Sequence, residues 1–132
     1  MSNSQDNRPL SPHLQVYSWQ ITMTMSILHR ATGVALSVGA VALVAWLVAA
    51  ASGAEAFDAF NQGMNSVVGG ILACGWVFCL YYHMLNGIRH LFWDAGKGFS
   101  MEALYRGGYA VIAVTTVLTA ITWYCLLAGG AA

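Results

Sequence analysis

Charge is confined to three short stretches of this chain, and the uncharged intervals between them decide what it can fold into. The five Lys and Arg and five Asp and Glu residues lie within the first thirty positions, between Glu55 and Asp58, and between Arg89 and Arg106. The intervals run from Ala31 to Ser52, from Ala59 to Tyr82 and from Gly107 to the C-terminus. An α-helix rises about 1.5 Å per residue, so about 20 mostly apolar residues cross the hydrocarbon of a bilayer. In a chain of 132 residues, three such spans leave little to build anything else. The composition agrees, with 58% hydrophobic and 8% charged residues, where a soluble domain carries about 25% charged. The expected fold is an all-α membrane protein with three transmembrane helices, spanning about 26–51, 63–92 and 105–128. These form a transmembrane domain of residues 26–129, preceded by an N-terminal segment of residues 1–25.

Short loops rich in Lys and Arg stay on the cytoplasmic side. The N-terminal segment has Arg8 and Arg30, and Arg89, Lys97 and Arg106 lie in the connection between the second and third spans. The connection GAEAFDAFNQG carries Glu55 and Asp58 and no basic residue. The charge bias therefore predicts a cytoplasmic N-terminus, an outer first connection and an outer C-terminus. Trp46, Trp93, Trp123 and Tyr124 suit aromatic anchors near an interface, whereas Trp76 falls deeper. Gly33, Ser37, Gly69, Gly70, Gly75 and Gly87 supply the small residues that let membrane helices approach closely.

A formal net charge of zero offers no basic field for nucleic acid and no polybasic lipid-binding cluster. Cys74, Cys79 and Cys125 all fall within predicted spans and read as packing residues rather than a disulfide framework. The first thirty residues lack the apolar core of a cleavable signal peptide, and Pro9 and Pro12 favour an extended path there.

His83 is the most telling polar residue. It lies seven positions before His90 in GGILACGWVFCLYYHMLNGIRH, roughly 10 Å into the hydrocarbon if Arg89 and His90 mark the interface. An ionisable side chain at that depth requires a partner. Positions 83, 87 and 90 share one helical face, and Gly87 leaves a gap beside the imidazole wide enough for a flat macrocycle. Two readings stand: a neutral histidine hydrogen-bonded to a neighbouring helix, or a haem ligand. A six-coordinate haem needs axial ligands on opposite faces, so His90 on the same helix cannot be the second. His13 and His29 do not match the expected depth of His83, which points to another subunit for that ligand.

Ser26 and Arg30 are one turn apart where the first span enters the membrane. A hydroxyl and a guanidinium at the edge of the hydrocarbon suit a ligand with a carbonyl head and an apolar tail, such as a quinone. The competing reading is an interfacial arginine that sets topology by snorkelling to phosphate. His29, Arg89 and His90 at similar depth could hold anionic haem propionates, with interface anchoring the plainer reading of Arg89. Asp94, just past the second span, reads as a solvated loop carboxylate.

The segments RPLSPHLQVY, SILHRATGVAL and YYHMLNGIRHLFWDAG, in that order, closely resemble the cytochrome b subunits of succinate dehydrogenase, membrane anchors of respiratory complex II. The resemblance implies a subunit packed with a second three-helix anchor, with one haem b shared between the two. An iron-sulfur subunit and a flavoprotein subunit would dock on the cytoplasmic side, with the 1–25 segment contacting the iron-sulfur subunit. It implies that His83 is an axial haem-iron ligand, that Ser26 and Arg30 line the ubiquinone site, and that His29 lies near the haem propionates. No catalytic residue is expected in this chain, since succinate oxidation belongs to a partner. The expected location is a bacterial inner membrane, multi-pass, rather than a mitochondrial one. Three rival readings differ in class: a structural anchor without haem, a small transporter or proton-relay subunit, and the membrane subunit of a quinol:fumarate reductase. A single deep histidine disfavours the diheme form of the last.

Overall fold

The computed structural model describes residues 18–129, so RPLSPHLQVY, with His13, lies outside the described residues. Four helices follow in order: α1 (Ile21–Ser52), α2 (Ala54–Met64), α3 (Val67–Asp94) and α4 (Met101–Gly129). Three of them, α1, α3 and α4, are long and apolar enough to cross a membrane. At about 1.5 Å per residue even the 28-residue α3 outruns a hydrocarbon core of about 30 Å, so the ends of the spans reach the polar zones.

The connections show why the spans end where they do. Gly53 turns the chain from α1 into α2 with φ of 119°, a conformation that a side chain would strain. Ser66 caps α3, its hydroxyl accepting from the Gly69 N–H at 3.1 Å. At the other end of α3 the Gly96 N–H donates to the Trp93 carbonyl and the Lys97 N–H to the Phe92 carbonyl. This is a Schellman arrangement with Gly96 at φ 75° as the left-handed residue. Ser100 then caps α4, accepting from the Ala103 N–H at 3.3 Å.

The connection between α1 and α3 is itself helical, which the charge pattern did not announce. α2 packs back on α1 through Trp46, whose indole N–H donates to Asn61 Oδ1 at 3.3 Å and whose ring lies 5.9 Å from that of Phe57. Trp46 thus ties α2 to α1.

α3 is the middle element, packed against both α1 and α4. The buried apolar centre is small: Met25 from α1, Tyr82 from α3 and Val111 from α4, flanked by Ile21 and Leu85. Close approach depends on missing side chains. Gly39 of α1 lies so near the Trp76 indole that a Cβ would overlap it, and a Cβ at Gly108 of α4 would come within 2.8 Å of Met25 Sδ. Elsewhere Val34, Val38, Val41, Val44 and Val48 of α1 are exposed, a surface suited to lipid or to further helices rather than water. The Tyr82 hydroxyl donates to the Met25 carbonyl at 3.0 Å, and the Tyr81 and Thr122 hydroxyls meet at 2.8 Å. These are the interhelical polar contacts that hold apolar helices in register. Cys74, Cys79 and Cys125 are free thiols.

Candidate functional site

The polar groups converge at one end of the bundle, where the start of α1 meets the last turns of α3. Rings two helical turns apart on one α3 face, at positions 83 and 90, are separated by roughly 10 Å of rise, room for one further flat group between them. That group is His29 of α1. Its ring stacks on His83 with centroids 3.9 Å apart and planes inclined 14°, and faces His90 at 5.1 Å and 17°. Gly87 lies beside this slot, a Cβ there standing in ordinary contact with His29 Cε1 at 4.0 Å.

One expectation from the sequence changes here. His29 does reach His83, since the two rings stack. His29 and His90 were legible as neighbours in depth, but the ring-on-ring contact depends on interhelical packing that spacing along one helix does not report.

The orientation of His83 follows from its partners. Its Nδ1 lies 3.1 Å from the His29 carbonyl oxygen and 3.3 Å from Thr32 Oγ1. A carbonyl can only accept, so Nδ1 carries the proton and Nε2 keeps its lone pair. His90 is set the same way, with Nδ1–H donating to the Asn86 carbonyl at 2.7 Å. His29 Nδ1 is buried without a hydrogen-bond partner. Because the three rings stack face to face, their nitrogens do not converge, and no group of three His, Cys, Asp or Glu among the described residues could hold a bare metal ion. His83 Nε2 makes no hydrogen bond among the described residues.

Beside the stack lies a cleft of about 310 Å³ between α1 and α3, lined by Ser26, Asn86, Arg89, His90 and Trp93 among others. Ser26 is half-buried in it, while Arg30 is exposed and outside that lining. The structure therefore brings Ser26 to one cleft with His90 and Arg89, whereas Arg30 is exposed among the described residues.

Arg89 is not the outward anchor that its interfacial position suggested. It is 8% exposed, donates to the Leu104 carbonyl at 2.8 Å and to Asn86 Oδ1 at 3.5 Å, and lies 4.3 Å over the Trp93 ring. Gly107 makes room for it, since a Cβ there would be 3.3 Å from its Nε. The guanidinium turns inward because a carbonyl, an amide and an aromatic face wait on that side. Asn86 and Thr32, both buried, were overlooked in the sequence. A polar residue one turn from His83 on α3, and another one turn from His29 on α1, was the signal that could have drawn attention to them.

Three helices long and apolar enough to cross a membrane, with a histidine cluster and a polar cleft at one end, define a helical membrane protein. The chain belongs to the family of succinate dehydrogenase/fumarate reductase transmembrane subunits, whose sequence pattern matches residues 4–122. It is 44% identical over 116 residues to the succinate dehydrogenase cytochrome b556 subunit of Paracoccus denitrificans, covering 88% of this chain and 89% of that one. It is 42% identical over 124 residues to the mitochondrial succinate dehydrogenase cytochrome b560 subunit of Bos taurus, covering 90% of this chain and 71% of that one. The cytochrome b556 subunit of Rickettsia felis is 40% identical over 118 residues, at 89% and 92% coverage.

Proposed function

We propose that this chain is the haem b-binding membrane anchor of a succinate:ubiquinone oxidoreductase in a bacterial inner membrane. The relatives are named as cytochromes b of succinate dehydrogenase, which favours that direction of chemistry over fumarate reduction. The observation that carries the haem reading is His83, whose Nδ1–H is committed to α1 while Nε2 is left for iron. An orphaned ring nitrogen with its opposite N–H held by a backbone carbonyl is what an axial ligand requires. His83 Nε2 would hold haem b, shared with a second three-helix anchor, and the haem would supply one-electron redox chemistry there.

This chain's own residues divide the remaining work. His83 presents Nε2 in a fixed direction. His29, whose Nδ1 is buried, faces a propionate through Nε2. Ser26 donates its hydroxyl to a carbonyl of the ubiquinone head group in the cleft. Arg30, exposed on the adjacent turn, stabilises negative charge as that head group is reduced, from a position fixed before the reaction. Electrons reach the quinone from an iron-sulfur subunit, itself fed by a flavoprotein that oxidises succinate. Both dock on the cytoplasmic side, against the 1–25 segment.

A reduced-minus-oxidised difference spectrum of the purified complex tests this reading. The wild-type complex gives a b-type α-band and His83→Ala loses it. A full haem content and unaltered band in His83→Ala would remove His83 as ligand, and no haem in the wild type would leave a purely structural anchor.

A further inference from the structure

The hydroxyl of Thr32 is buried on α1 in a membrane-spanning helix where a threonine side chain could have pointed to lipid. It has three neighbours: the Leu28 carbonyl at 2.8 Å, the His29 carbonyl at 2.9 Å and His83 Nδ1 at 3.3 Å. Both carbonyls can only accept, so the single hydroxyl proton goes to one of them. The oxygen's lone pairs then face the His83 Nδ1–H, which it shares with the His29 carbonyl in a three-centre bond. Gly33 completes the cradle, since a Cβ there would come within 3.1 Å of His83 Cε1. One turn of α1 thus grips one edge of the imidazole with two acceptors and a close backbone.

We propose that Thr32 is a positioning residue for the haem iron: its hydroxyl, with the His29 carbonyl, holds His83 in the Nε2-ligating tautomer and raises the electron density of that ligand. This rests on the reading of His83 as an axial ligand. A ligand whose distal N–H is bonded to an acceptor gains imidazolate character and donates more strongly to the ferric form. Loss of one acceptor therefore shifts the haem toward the ferrous form. Outer-shell contacts of this kind change metal-site properties by about 10- to 100-fold.

The test compares Thr32→Val, which keeps the shape and removes the hydroxyl, with Thr32→Ser, which keeps the hydroxyl and removes a methyl. Both are measured in the assembled complex by redox titration of the haem band, with haem content determined separately. Thr32→Val is expected to shift the ferric-ferrous equilibrium roughly tenfold toward ferrous, a potential about 59 mV higher for a one-electron couple, with Thr32→Ser close to wild type. Loss of haem from Thr32→Val but not from Thr32→Ser supports the same hydroxyl. Unmoved potential in Thr32→Val, or equal change in both variants, overturns the proposal. His83→Ala, measured alongside, separates the two claims. A retained band there sinks the ligand reading itself, whereas a lost band with an unmoved Thr32→Val sinks only the role of Thr32.

Discussion

The contact between Gly39 and Trp76 gives a direct measure of how tightly α1 is pressed on α3. A Cβ at position 39 would stand 2.6 Å from Trp76 Cε2 and nearer still to Nε1 and Cδ1. Ordinary van der Waals contact begins near 3.4 Å, so Gly39→Ala forces either the helices apart by an ångström or more, or the indole out of its seat. Overpacking on this scale costs about 1–3 kcal/mol. Alanine's better helix propensity returns at most about 1 kcal/mol of that in an α-helix, so the net effect is destabilising. Trp76→Ala alone loses packing, because its half-buried indole rests on Gly39. In the Trp76→Ala background, Gly39→Ala should cost nothing and even stabilise, since the obstacle is gone. The double-mutant cycle, measured by detergent-induced unfolding in mixed micelles followed by far-ultraviolet circular dichroism, should show coupling of at least about 1 kcal/mol. Costs that add within about 0.5 kcal/mol would mean that the two residues do not touch.

Other outcomes follow from the site. Arg89→Lys keeps the charge but loses the planar fork that reaches Leu104 and Asn86 while covering Trp93. Loosening by about 1.4 kcal/mol would speed amide exchange in the first turns of α4 roughly tenfold, and unchanged exchange there would count against the clamp. Gly87→Val fills the slot that His29 occupies and should lower haem retention in the purified complex. Full retention with an unaltered spectrum would show the slot to be irrelevant. Arg30→Ala and Arg30→Lys should impair ubiquinone reduction at least about tenfold while succinate oxidation by a soluble dye persists. Equal loss of both activities would place the defect in assembly rather than at the quinone.

Much of the fold could be read in advance because charge is so costly in hydrocarbon that its absence marks the spans. The helices α1, α3 and α4 follow the three uncharged intervals, although α1 begins at Ile21 and carries Arg30 inside it. Helix α2 escaped notice since Glu55, Asp58 and Asn61 within it resemble a polar loop, and only Trp46 folding over Asn61 and Phe57 reveals a packed element. At the site, the periodicity of His83, Gly87 and His90 put them on one face, but it could not report that His29 of another helix stacks against the two rings there. Arg89 was misjudged for a related reason: an arginine at an interface snorkels unless acceptors lie inward, and those acceptors are on α4 and on the aromatic ring of Trp93. Of Ser26 and Arg30, one turn apart on α1, Ser26 is half-buried and lines the cleft whereas Arg30 is exposed, a difference set by the neighbouring helix rather than by spacing along α1.

On the proposed function, His83 meets iron through Nε2 while α1 holds its other nitrogen. Cryo-microscopy of the assembled complex at side-chain resolution shows whether it does. The expected density is a porphyrin with its iron bonded to His83 Nε2, and His83 Nδ1 within hydrogen-bond distance of the His29 carbonyl and Thr32. A His83 ring facing only lipid or protein, with the porphyrin bound elsewhere or absent, would contradict it.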